Sequence, residues 1–211
     1  MNKTTTIYQD AIRLLFLLVN GAEDYLDESN VKVKGIFRGK ARLYAMDFWV
    51  RYPDYFAFEL IKKYEETNID RFLQLAESIF DNKEPDLRRI PMIRFLFGAY
   101  EKLDNTLSIL ISKGLIKQDG LKKESIHHYD FLIYDSAFDL IEKASKEFDV
   151  LKWYDERTKV VNEIAGQRGG RALKTAQYEQ LVYAQTKLGG IIPSIKDYVQ
   201  SKLKQVMILD K

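Results

Sequence analysis

The stretch Leu103-Asp104-Asn105-Thr106-Leu107-Ser108-Ile109-Leu110-Ile111-Ser112-Lys113-Gly114-Leu115-Ile116 decides how this chain is expected to fold. Leu103, Leu107, Leu110 and Ile111 recur at helical spacing. Gly114 offers the left-handed conformation that ends a helix, and Leu115-Ile116 then turn back inward. Lys117-Gln118-Asp119-Gly120 read as a turn, Tyr129 to Tyr134 as a strand, and Asp135 to Phe148 as a further helix. That order is the order of a winged-helix module, placed over residues 85–148. The expected fold class is therefore mainly α: a helical protein with an embedded winged-helix (helix-helix-β-hairpin-helix) module.

Outward from that module, residues 1–80 read as an N-terminal helical region and 149–211 as a C-terminal one, the whole forming one compact unit. Threonines at positions 4–6 precede Ile7, Ala11, Leu14, Leu15 and Leu18, a first helix that stops at Asn20-Gly21. Val31 to Gly35 read as a loop or short strand. Lys40 to Tyr52 give a second, very apolar helix, closed by Pro53 because proline disfavours helical geometry in its predecessor. A third helix runs from Asp54 to Tyr64, and Asn68 is a candidate cap for a fourth that carries Phe72, Leu73, Ala76 and Ile79. Beyond the module, helices are expected at Val150 to Ile164 and Ala172 to Lys187. Ile191 to Leu209 carries apolar residues without strong period.

With 46% hydrophobic and 13% aromatic residues in 211, the chain can build a real core. Lys+Arg at 33 against Asp+Glu at 31 leaves a net charge of +2, so any nucleic-acid contact has to come from a local patch. The absence of cysteine excludes disulfides and thiolate metal sites and fits a reducing, cytoplasmic setting. The longest apolar run, Leu14 to Val19, is too short to span a bilayer, and no signal-like core is expected at the start of the chain.

Five groups of residues are candidates for function. The basic run Lys32, Lys34, Arg38, Lys40, Arg42 and Arg51, opposed by Asp47 and interleaved with Phe37, Tyr44, Phe48 and Trp49, suits phosphate contact, or a solvated or protein-facing edge, the first five being the candidate nucleic-acid contacts. Arg88, Arg89 and Arg94 suit phosphates and carboxylates equally, and an acidic partner surface places them among the protein-interface candidates. Leu14, Phe16, Leu17, Phe48 and Trp49 exceed what a single helical stripe buries and point to a protein interface. His127 and His128, the only histidines, would point to opposite faces of a strand and lack the further ligands of a metal set. Arg168-Gly169-Gly170-Arg171 with Lys174 could hold a phosphate at a helix start, but lacks the Gly-Lys-Ser/Thr ending of a nucleotide loop and reads more plainly as a hinge. No catalytic constellation, cofactor motif or metal site can be assembled, so an enzyme is not expected.

Three stretches together resemble a known family. Gly39 to Pro53 is similar to its lysine, leucine, aspartate, arginine, tyrosine, proline block, and Ile90 to Tyr100, running on to Ile116, is similar to its methionine, isoleucine, arginine, aromatic, glycine block. Glu163 to Leu173 is similar to its C-terminal glycine-rich segment. The family is the middle component of bacterial ABC-three-component systems, including the small subunit of Lamassu-type anti-phage complexes. The chain departs from it in having Ala99-Tyr100 after Gly98, and Ile191-Ile192-Pro193 after two glycines. The resemblance implies a non-catalytic adaptor that links an SMC/Rad50-like ATPase to an effector subunit, often a nuclease, with DNA engaged through the complex. A free-standing winged-helix DNA-binding regulator is the alternative, weakened by the absence of any arginine or lysine between Leu103 and Ser112.

Overall fold

The structure, a computed structural model, describes residues 6–81, 93–95, 98–100, 103–123 and 126–209. In chain order its elements are α1 (Ile7–Asn20), β1 (Glu23–Asp24), β2 (Val33–Phe37), α2 (Lys40–Arg51), α3 (Pro53–Thr67), α4 (Asp70–Asp81), β3 (Ile93–Phe95) and β4 (Gly98–Tyr100). There follow α5 (Asp104–Ser112), β5 (Ile116–Lys123), β6 (Ile126–Tyr134), α6 (Asp135–Glu147), α7 (Asp149–Ala165), α8 (Gly170–Tyr178), α9 (Leu181–Gln185) and α10 (Lys196–Leu209). The protein is mainly helical, with a four-stranded antiparallel sheet of order β1-β2-β6-β5 and a separate β3-β4 pair. The chain divides into two units, residues 1–47 with 101–174 and residues 48–100 with 175–211, and the divisions fall inside α2 and α8. The three sequence regions expected at 1–80, 85–148 and 149–211 run across these units.

The first unit is built around α1. Thr6 and Gln9 form a capping box at its start, and Asp10 in the first turn complements the helix dipole. Leu14 to Val19 are all buried, because α5, α6, α7 and the strands β2 and β6 pack around the helix. A helix enclosed on several sides is apolar all round, which is why the run exceeds one stripe. On the sheet, Phe37 of β2 pairs with Phe131 of β6 and Ile116 of β5 with Ile133, while Val33, Ile36 and Leu132 form a separate buried cluster against which Tyr25 and Tyr134 pack.

Charge is nevertheless held inside this unit. Arg13, 2% exposed, reaches Asp47 Oδ1 at 2.6 Å through Nε and Asp10 Oδ1 at 2.5 Å through Nη1. Burial alone would lower the Arg13 pKa; Asp47 foremost, then Asp10, outweigh it and raise the pKa further, so the side chain stays charged. The same charges surround Tyr154, whose hydroxyl pKa is raised mainly by burial.

In the second unit Pro53 occupies the first turn of α3, where its missing N–H costs nothing. α3 packs on α4 and α10. Buried Asp54 accepts hydrogen bonds from Ser194 Oγ (2.7 Å) and the Ile195 N–H (2.8 Å), fixing the start of α10. Phe48 stacks on Tyr52 at 4.6 Å and meets Tyr55 and Tyr183 edge-on, the arrangement aromatic quadrupoles favour.

Several expectations change. Lys117 to Gly120 lie within β5, because pairing to β6 continues as far as Lys123↔Ile126; residues 124–125 lie outside the described residues. Asn68 does not start α4; it adopts the left-handed conformation (φ 52°) that ends α3, its N–H bonded to the Tyr64 carbonyl. The helix expected over Ala172 to Lys187 is interrupted between Tyr178 and Leu181, giving α8 and α9. α10, β3 and β4 were not anticipated. α10 buries chiefly Val199 and Leu203 while Tyr198 and Ile208 stay exposed, too narrow a stripe to register as a period.

Removing one member of a buried ion cluster strands the others, at about 3–5 kcal/mol. Arg13→Met is therefore expected to lower stability by about that amount in urea unfolding; a loss under about 1 kcal/mol would show that the cluster contributes little to the first unit.

Candidate functional site

The basic run does not form a continuous cationic surface. Arg42 is buried: Nη2 donates to Asn162 Oδ1 (2.9 Å) and to the Gly166 carbonyl (3.0 Å), Nη1 reaches the Gly21 carbonyl (3.4 Å), and the guanidinium lies 5.0 Å from the Phe37 ring centre. Burial lowers its pKa, opposed by Glu23. Lys40 is paired with Asp104 at 2.5 Å and lies near the faces of Tyr44 and Tyr129. Arg38 is exposed but bonds Glu23 at 3.0 Å and lies 3.9 Å from Asp130, which also accepts the Gly39 N–H (2.8 Å). Only Lys32 and Lys34 are exposed and, among the described residues, without an ion pair. Alternation along β2 points Lys34 outward, and Arg42 turns inward because it lies on the core-facing side of α2.

The apolar interface candidates are corrected outright. Leu14, Phe16, Leu17, Phe48 and Trp49 are each at most 1% exposed, so they build the interior of their units and offer a partner nothing. Arg88 and Arg89 lie outside the described residues. Arg94 sits half-buried on β3, donates to the Thr186 carbonyl and packs over the Tyr178 ring, while its backbone exchanges hydrogen bonds with Gly189 and Gly190. Its role is to fasten the chain after α9 to the β3-β4 pair.

His127 and His128 occupy register positions opposite Lys122 and Leu121 in the hairpin. Among the described residues no three His, Asp or Glu side chains gather into a metal set. The glycine-rich break is a packing contact: a Cβ on Gly170 would come within 2.5 Å of the Ala41 backbone, so only glycine lets α8 start against α2. Arg168 folds back to the Ile164 and Ala165 carbonyls at the end of α7. Lys174 is half-buried with its pKa lowered by desolvation.

One open cavity, of about 500 Å³, lies at an end of the four-stranded sheet. It is formed where α5 ends (Ile111, Gly114), where β5 begins (Ile116, Lys117), where β6 passes into α6 (Tyr134, Asp135, Ser136) and at Lys32, just before β2. Sequence reasoning singled out Lys32 but missed the rest, since nothing local links residue 32 to 117 or 136. Among the described residues no helix is long and apolar enough to cross a membrane. No family model, curated protein or solved structure matches the chain.

Two outcomes follow from these placements. Arg42→Ala should lower the melting temperature clearly and Arg42→Lys should rescue it only in part, because an ammonium cannot span three acceptors; Lys32→Ala and Lys34→Ala should leave it unchanged. Equal, small shifts for all four variants in a thermal melt would refute the clamp. For Lys174 the folded pKa lies below the ordinary lysine value of 10.5, so burial penalises the charged form fully below the folded pKa. That penalty fades as pH rises towards 10.5. Lys174→Met should therefore raise the melting temperature at pH 7, with a smaller gain near pH 10.

Proposed function

We propose that the chain is a non-catalytic adaptor subunit linking an SMC/Rad50-like ATPase to an effector, as the middle components of ABC-three-component and Lamassu-type anti-phage systems do. The observation that carries this reading is that two of the sequence blocks behind the resemblance, far apart in the chain, meet in space. Arg42 of the first block bonds the Gly166 carbonyl of the third, and Gly170 of the third packs on Ala41 of the first.

The topology supports a winged-helix core as well. α1, β2, α2, α5, β5 and β6 follow in the helix and strand order of that module, and the sheet order β2-β6-β5 puts the last strand in the middle, as a wing hairpin requires. On this reading the module draws on residues 7–47 and 104–134, with the first segment of the second unit, residues 48–100, intervening in the chain, and differs from the 85–148 span expected from sequence. The regulator alternative is less well supported. α5 would be its recognition helix, yet the exposed positions Asp104, Asn105, Ser108, Ile111 and Ser112 include no cation to read a base edge.

Affinity purification of the tagged chain from its native host, followed by cross-linking mass spectrometry, tests the assignment. A coiled-coil ATPase and a second subunit are expected in fixed stoichiometry, cross-linked to this chain. Recovery of the chain without protein partners, together with enrichment of one DNA sequence, would overturn the adaptor reading in favour of the regulator.

A further inference from the structure

We infer that the cavity at the end of the sheet is a docking site for an acidic peptide segment of a partner, one that inserts an apolar side chain between two lysines. The inference rests on the adaptor reading only for the existence of a partner; the chemistry comes from the cavity itself.

Its wall is apolar at Ile111 and Tyr134, with buried Ile116 behind them, and Ile111 is 39% exposed although the rest of its helix turns Leu107 and Leu110 into the core. Its rim is cationic. Lys32 and Lys117 are both exposed and, among the described residues, neither has an ion-pair partner, in contrast to Arg38 and Lys40 of the same basic run. Asp135 is the acid on the rim, and its Oδ1 accepts the Ser136 N–H at 2.7 Å at the start of α6. Asp27 lies within the field of Lys117, but its carboxylate is held first by the Ser29 hydroxyl and its pKa is lowered mainly by that bond. The start of α6, with its positive end of the helix dipole, faces the same space.

A volume near 500 Å³ holds one or two large side chains. Apolar wall and cationic rim together match a segment that alternates leucine or phenylalanine with glutamate or aspartate. A nucleic-acid backbone matches less well, because phosphate contact makes no use of the apolar wall and the neighbouring face of α5 begins with Asp104 and carries no cation.

The test uses the full chain and a fluorescein-labelled twelve-residue peptide alternating glutamate with leucine and phenylalanine, its glutamine counterpart, and a labelled DNA duplex, all followed by anisotropy. The glutamate peptide is expected to bind, and its affinity to fall with salt. Lys32→Glu combined with Lys117→Glu should weaken it at least tenfold and remove the salt dependence. Ile111→Ser should weaken it severalfold while the salt dependence remains. These side chains are exposed, so circular dichroism should report unchanged folding. No binding of the glutamate peptide, equal binding of the glutamine peptide, or indifference to all three substitutions would overturn the inference. So would duplex binding through the same two lysines that the peptide does not compete away. If the peptide binds as described but no ATPase or effector is recovered from the host, the adaptor reading fails and the docking site stands.

Discussion

The first unit depends on where Arg42 goes. A guanidinium taken out of water costs less the more of its donors find acceptors; here Nη2 finds Asn162 in the last turn of α7 and the Gly166 carbonyl beyond it, Nη1 reaches the Gly21 carbonyl at the end of α1, and Nε alone is left without an acceptor among the described residues. One side chain thereby satisfies the carbonyl-rich ends of two helices and seats the start of α2 between them. Helix C-termini leave carbonyls without intrahelical partners, so a cation placed there is favoured by hydrogen bonding and by the dipole together. Gly170 completes the arrangement by allowing α8 to begin in contact with Ala41.

Arg13 shows the same logic one layer deeper. α1 is enclosed on several sides, yet it carries a charge into that interior, and the charge is viable because Asp10 lies one turn before it and Asp47 reaches it from α2. The ion cluster and the Arg42 clamp both fasten α2 to its neighbours, by side chains that must be correctly oriented. Apolar packing alone is less directional. This gives α2 a defined register in a core otherwise made of interchangeable aliphatic groups, which is the role best attested for buried polar groups.

Arg13, Arg42 and the largest buried apolar side chains are used inside, whereas the ends of elements leave other side chains facing solvent. The sheet-end cavity is such a place. The outermost strand, β5, begins there, β6 leaves the sheet there, and α5 and α6 meet it by their end and start. Side chains at these positions are fixed by backbone on one side and face solvent on the other. That leaves Ile111, Lys32 and Lys117 available while Leu110 and Ile116 a residue or two away are buried.

Much of the helical plan could be read from the residues. The threonines at 4–6 and the stop at Asn20-Gly21 bound α1, Pro53 separates α2 from α3, and the Leu103 to Ile116 pattern gives α5 and its exit, because caps, prolines and period act within a few residues of themselves. The pairing of β5 with β6 overrode the local turn signal of Lys117 to Gly120, and Asn68 ended one helix when it could equally have started the next. Composition and charge determined that no whole-chain field dominates. Which lysines and arginines are free, though, depended on acceptors more than a hundred residues away for Arg42 and on Asp104 for Lys40. Local sequence carries the propensity of each segment; the partner of each charge and the faces left open are properties of the assembled chain, since desolvation and hydrogen bonding are decided by neighbours that only the tertiary fold brings together.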